Sequence, residues 1–259
     1  MATAVFCKWC PDPAGIEVRG DRSVSVARAQ WAVSEYDRVA IEVAVSAAHG
    51  DVVAFTAGSA EVGTPLARKS ILSRGPGALC MVVDDGLADA DAHQTARALV
   101  AAVRRAGDVD LVVCGSGSAD RYGQQVGVQA AELLGWPVLN EVTAVAVADG
   151  TVRVVHRSPA GLDTVEGPLP VVVAVAPDAA VPRTPGVRDV MGAGTRPTTV
   201  WSLDDLGEAA RAAPSSEVLS TAAPPAAHRR QVRLAGDPAQ VAAGLVEELR
   251  HQGLLGVPA

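Results

Sequence analysis

The stretch Cys114-Gly115-Ser116-Gly117-Ser118-Ala119-Asp120-Arg121-Tyr122-Gly123-Gln124-Gln125-Val126-Gly127 has the residue types of an anion cradle. Small residues follow an apolar run and precede a helical pattern. Backbone N–H groups at such a helix start, together with the helix dipole, attract phosphate. On local physics alone the stretch is as well read as a plain glycine-serine turn. Cys7-Lys8-Trp9-Cys10 is a single C-x-x-C, and no second pair completes a zinc site. Near a strand end its two thiols leave on opposite faces. Cys80 and Cys114, like Cys7, sit in apolar runs, so the thiols are expected to act as small hydrophobes. The histidines, His49, His93, His156, His228 and His251, form no recognisable triad motif with Ser116 or Ser118.

The elements that would position this loop alternate. Ala4 to Lys8, Val52 to Thr56, Leu79 to Val83 and Leu111 to Cys114 are near-continuous apolar runs, the pattern of parallel strands buried on both faces. Helical spacing runs from Glu35 to Ala48, where Tyr36, Val39, Val43 and Ala47 recur opposite Asp37, Arg38 and Glu42. A second helix begins at Thr64-Pro65 and stops near Gly75. A third covers about Ala92 to Ala106, and a fourth runs from about Gln124 to Leu134, ending at Gly135. Such alternation implies an α/β fold with a doubly wound parallel sheet. Beyond Trp136-Pro137 the pattern changes. Val142 to Val147 and Val152 to Val155 flank Asp149-Gly150, a hairpin signal, and Val171 to Ala176 follows, so an antiparallel portion is added. Pro177 to Arg196 reads as a loop and Gly207 to Arg229 as a linker. Asp237 and Pro238 then open a last helix with Val241, Leu245 and Leu249 on one stripe. A lone helix cannot bury its stripe, so it folds back or docks on a partner.

Twenty-two Lys and Arg against 29 Asp and Glu leave a net charge of −7, which argues against a general nucleic-acid binder. No apolar run approaches the ~20 residues that span a bilayer. Met1 to Phe6 has no basic start before its strand-like residues, so a signal peptide is not expected and a cytoplasmic location is.

Several spaced motifs, in one order, resemble the beta subunits of electron transfer flavoproteins. Gly115, Asp120, Gln125 and Gly127 keep the family's Gly-x-x-x-x-Asp-x-x-x-x-Gln-x-Gly register, and Leu133-Leu134-Gly135-Trp136-Pro137 follows. Lys8 with Pro11-Asp12, Ser34-Glu35-Tyr36-Asp37 with Ala40 and Glu42, Gly161-Leu162-Asp163-Thr164-Val165 with Leu169-Pro170, and Pro182-Arg183 with Val190-Met191 match further segments. The resemblance covers essentially the whole chain. It implies an adenine nucleotide α-hydrolase-like fold, with residues 1–200 as the nucleotide-binding α/β domain. Residues 201–259 would be a linker and a C-terminal helix docking on the alpha subunit. It also implies AMP in this subunit, FAD held mainly by the alpha subunit, and a dehydrogenase as electron donor. The implied pocket uses Phe6, Ser34, Tyr36, Asp37, Ala57, Asp120, Gly123, Gln124, Gln125, Val126 and Gly127, with backbone at Phe6 and Ala57 framing the adenine. Tyr36 would stand near the flavin.

Two departures bear on cargo and partner. Val126 stands where the family has a threonine, and Arg121 and Tyr122 replace most of an acidic run. A second FAD in place of AMP, as in electron-bifurcating relatives, is the alternative cargo. In the family's partner-recognition segment Arg183 is kept, but the leucine anchor is Val187 and Gly192 to Arg196 replace a lysine cluster. A smaller anchor and fewer charges imply a different donor dehydrogenase. The resemblance implies an electron carrier subunit without catalytic residues of its own. The competing reading is a stand-alone adenine-nucleotide sensor of the universal-stress type; an enzyme acting at the Gly-Ser loop is a third.

Overall fold

The computed structural model describes residues 2–47, 50–225, 227 and 231–255. The chain divides into two compact units, Met1–Ala222 and Ala223–Ala259. The strands in chain order are β1 (Ala2–Phe6), β2 (Trp9–Pro11), β3 (Glu17–Val18), β4 (Val24–Ser25), β5 (Trp31–Val33), β6 (Asp51–Gly58) and β7 (Ala78–Val83). After them come β8 (Val109–Gly115), β9 (Val138–Ala148), β10 (Thr151–Ser158), β11 (Gly161–Pro168), β12 (Val171–Val175) and β13 (Thr198–Trp201). The α-helices are α1 (Glu35–Ala47), α2 (Pro65–Leu72), α3 (Ala92–Ala106), α4 (Val126–Leu134), α5 (Val187–Ala193), α6 (Leu203–Leu206) and α7 (Pro238–His251).

Nine strands make the main sheet in the order β11-β10-β9-β12-β8-β1-β6-β7-β13. From β9 to β13 in that order every neighbouring pair is parallel. At the β9 end, β10 and β11 add an antiparallel ribbon. The alternation of side chains along β1 explains the two layers. Val5 packs with α1 and α2 in one buried cluster, whereas Ala4 and Phe6 join α3 and α4 in another. The sheet is therefore covered on both faces and doubly wound, as the apolar runs imply. From β1 the chain winds to β6 and β7 on one side, then crosses to β8 on the other. The order reverses between β1 and β8, and ligands of open α/β sheets bind beyond the carboxyl ends of such strands.

Several local signals act as expected. Thr64 Oγ1 accepts the Ala67 N–H at 3.2 Å and starts α2. Asp149 and Gly150 take φ of 50° and 74°, which closes the β9–β10 hairpin. Asp237 caps α7, with Gln240 returning the bond. The helix expected to reach Ala48 is defined to Ala47, and Ala48 lies outside the described residues. α7 has no buried residue within its own unit.

Other expectations give way. Pro177 to Arg196 is not loop throughout, because α5 forms within it. The Gly186 N–H donates to Asp189 Oδ2 at 2.8 Å, and Arg68 Nη2 ties Gly194 O and Arg196 O to α2 at 3.0 and 3.1 Å. The start of the expected linker is also fixed. Asp91, the cap of α3, accepts Ser215 Oγ at 2.7 Å and the Ser216 N–H at 3.1 Å, while Gln94 Nε2 donates to Ala212 O. β11, exposed along nearly its whole length, joins β10 residue for residue. Among the described residues, no helix is long and apolar enough to cross a membrane.

Candidate functional site

The carboxyl ends of β1 and β8 meet at Lys8. Its N–H donates to Asp37 Oδ2 at 2.7 Å, its carbonyl accepts the Ser34 N–H at 3.0 Å, and its Nζ pairs with Asp120 Oδ2 at 2.6 Å. Three segments far apart in sequence are thereby joined: the end of β1, the first turn of α1, and the β8–α4 loop. Ser118 Oγ donates to Asp120 Oδ1 at 2.7 Å, and Ser34 Oγ accepts the Ala119 N–H at 3.3 Å. In the sequence Lys8 stands only as part of a family-like segment with Pro11-Asp12; its contacts with Ser34, Asp37 and Asp120 are visible only in the fold.

Asp37 is 6% exposed. Burial pushes its carboxyl up to about 7, although the N–H groups of Lys8 and Gly115 and the Lys8 charge favour the anion. For Asp120, burial acts upward, but the Lys8 and Ser118 hydrogen bonds outweigh it and hold the acid below its ordinary value. Burial raises the Cys7 thiol, with the nearby Asp37 adding to it, and lifts Cys114 to about 12 for the same reasons. Cys10 also rises to about 12, mainly through burial. These thiols stay protonated at neutral pH, in keeping with small buried hydrophobes.

Beyond Gly115 the loop is tight. A Cβ on Gly115 would lie 2.7 Å from Asp37 Oδ1, and one on Gly127 would lie 2.6 Å from Cys114 Sγ. Glycine at 127 thus lets α4 start directly on the end of β8. The helix begins at Val126, not at Gln124, since Gln124 takes a left-handed φ of 54° that a helix cannot continue. No side chain caps it at Gln125, whose Oε1 instead accepts Gln129 Nε2 at 3.2 Å. The first N–H groups of α4 therefore have no intrahelical acceptor. Ser116 Oγ, on a residue 8% exposed, has no partner among the described residues, and the space beside Gly123 is open. A shallow depression lined in part by Cys10, Asp12, Ser34, Arg38 and Ala119 adjoins the loop.

The remaining expected site residues fall as follows. Phe6 is buried at the end of β1, paired with Phe55 in the sheet, its ring edge-on to the Phe55 ring with centroids 6.4 Å apart. Ala57 lies near the end of β6, half-buried. Ser34 and Asp37 spend their side chains on the loop connections above. Tyr36 stacks obliquely on Tyr122, centroids 5.0 Å apart, a pairing the sequence did not reveal. Arg183 forks onto Glu42, Nε to Oε2 at 2.7 Å and Nη2 to Oε1 at 2.8 Å. Val187, 83% exposed, opens α5 beside exposed Met191. Ser118 is committed to Asp120 and Ser116 has no partner, so neither is bonded to a histidine among the described residues; His49 and His228 lie outside them. No cluster of His, Cys, Asp or Glu among the described residues could hold a metal.

A family model described as the electron transfer flavoprotein domain matches residues 23–206. That span takes in the switch-point loop, the first turn of α1 and all of the sheet from β6 to β13. With the doubly wound fold and the loop geometry already described, the match is decisive: the chain belongs to the electron transfer flavoprotein family.

Proposed function

We propose that the chain is the beta-type, nucleotide-carrying subunit of a cytoplasmic, heterodimeric electron transfer flavoprotein. It holds AMP at the β1–β8 switch point and pairs with an alpha subunit that holds FAD. The observation that carries the reading is the unsatisfied donor set at that point. The start of α4 is uncapped, the Ser116 hydroxyl has no partner among the described residues, and a side chain at Gly123 would meet nothing. These residues fit a nucleotide phosphate: a neutral hydroxyl and N–H groups supply donors, while the Lys8 charge is spent on Asp120. Val126 offers no hydroxyl, so its contribution is its backbone N–H. Phe6 and Ala57 present backbone to the base.

FAD, when bound, supplies the redox chemistry. The residues of this chain bind, orient and shield. Arg183, through Glu42, braces the segment before α5, and α5 offers Val187 to a donor dehydrogenase. Co-expression with an alpha-type subunit, followed by mass spectrometry of the released nucleotides, tests this. A yellow heterodimer with FAD and AMP is expected. Two FAD per heterodimer would replace AMP as the cargo, and a colourless homodimer carrying ATP would overturn the carrier assignment in favour of a sensor.

A further inference from the structure

Tyr122 is held in a costly way. Its φ of 45° lies in the left-handed region, which bulky residues rarely occupy and which persists mainly at ligand clamps and switch segments. The residue is nonetheless 45% exposed, so the strain is not offset by deep burial. Gly117 lies directly beneath: a Cβ there would collide with Cδ2 and Cε2 of the Tyr122 ring. Tyr36 flanks the ring from α1, centroids 5.0 Å apart and planes at 46°. A missing side chain at 117, a strained backbone at 122 and a second aromatic at 36 all serve one result. They hold a half-exposed tyrosine beside Tyr36 in the loop that follows β8. In the same loop, the buried Ser116 hydroxyl lacks a partner among the described residues.

We infer that Tyr122 is a binding residue, its ring forming with Tyr36 the face on which the planar heteroaromatic ring of a bound nucleotide stacks. The inference rests on the proposed nucleotide-binding reading. Adenine and isoalloxazine share the required chemistry, a flat π face that packs in an offset or tilted manner on tyrosine. A tyrosine that merely covered the loop would need no such strain.

The test compares three probes, AMP, FAD and ribose 5-phosphate, by calorimetry on the nucleotide-stripped full chain as it purifies from co-expression with its partner. Ribose 5-phosphate carries the phosphate without a ring. Tyr122→Gly removes the aromatic face while suiting the left-handed backbone, and Gly117→Ala displaces the ring while leaving Tyr122 in place. Both variants should weaken AMP, FAD or both by about tenfold, and leave ribose 5-phosphate unchanged. Tyr122→Phe should stay within about twofold of wild type, since the face is kept. A loss confined to AMP identifies adenine as the stacked ring, and one confined to FAD identifies the flavin; either supports the inference. Unchanged affinity for both nucleotides, or an equal loss for ribose 5-phosphate, overturns it. A wild-type chain that binds neither AMP nor FAD would overturn the nucleotide-binding reading itself, and the inference with it.

Discussion

Replacing Asp37 by asparagine isolates the one buried carboxyl that joins β1, α1 and β8. Its folded value, about 7, stands above its ordinary 3.8, so the folded chain takes up a proton more readily than the unfolded chain does. The stability linked to that proton is fully present below the unfolded value. It is lost as pH rises through the folded value and is constant above it. A rise of this size corresponds to about 4 kcal/mol over the whole window, at about 1.36 kcal/mol per pH unit. Between about pH 5.5 and about pH 8.5 the expected loss is about 2 kcal/mol. The substituted asparagine cannot ionise. Its amide also sets a donor against either the Lys8 or the Gly115 N–H, at a cost of roughly 1–3 kcal/mol that does not vary with pH. The slope, not the offset, is therefore diagnostic.

Urea unfolding of wild type and Asp37→Asn at matched pH provides the assay, and subtracting the two curves cancels the titrating groups that do not interact with Asp37. The variant should gain on wild type by about 2 kcal/mol on going from the acid to the alkaline end. A difference that stays flat, or one in which wild type gains with rising pH, would refute the reasoning. A flat difference would mean that the two N–H groups and Lys8 outweigh burial and keep the carboxylate ionised throughout.

Three further outcomes are expected. Gly127→Ala forces a methyl to 2.6 Å from Cys114 Sγ, so thermal unfolding should report a loss of about 1–3 kcal/mol; an unchanged midpoint would mean that α4 slides freely on β8. Asp91→Ala removes both the α3 cap and the acceptor of Ser215 and Ser216. It should cost about 2 kcal/mol and speed amide exchange at residues 207–216, leaving the far ribbon of β10 and β11 protected as before. Val187→Asp places a charge on an exposed valine; on the proposed reading, electron transfer from a donor dehydrogenase should fall at least about tenfold with the fold intact, and an unchanged rate would remove α5 from the proposed docking surface.

Where an element's stability is local, the sequence announces it. The buried parallel strands read as apolar runs, Asp149-Gly150 marks its hairpin, and Asp237-Pro238 marks α7, because each signal and its effect lie within a few residues. β11 carries no strand signal in the sequence because its side chains are exposed on both faces, leaving no alternation to read. β13 is four residues long, and its pairing is with β7. α5 hides in a proline- and glycine-rich stretch, since its anchors are Asp189 and the distant Arg68. The loop's small residues before a helix start are local and stand in the sequence. Its supports do not: Lys8 reaches Asp120 across 112 residues, and Ser215 reaches Asp91 across 124. No periodicity encodes a contact of that range.

Those long-range supports decide what kind of site this is. The charged side chains at the switch point are largely spent on one another. Lys8 neutralises Asp120, Asp37 serves two N–H groups, and burial keeps the neighbouring thiols protonated. What stays available is a set of neutral donors, namely the first N–H groups of α4 and the Ser116 hydroxyl, with an aromatic face at Tyr36 and Tyr122. Neutral, preorganised donors stabilise a bound anion without having to move a proton. On the proposed reading the nucleotide therefore acts as a structural member of the chain. It would satisfy the donors that the fold leaves open and stabilise the folded state by an amount that grows with ligand concentration over Kd. Removing it should loosen the β8–α4 loop and α1 together, because Lys8, Ser34 and Asp37 bind them into one unit.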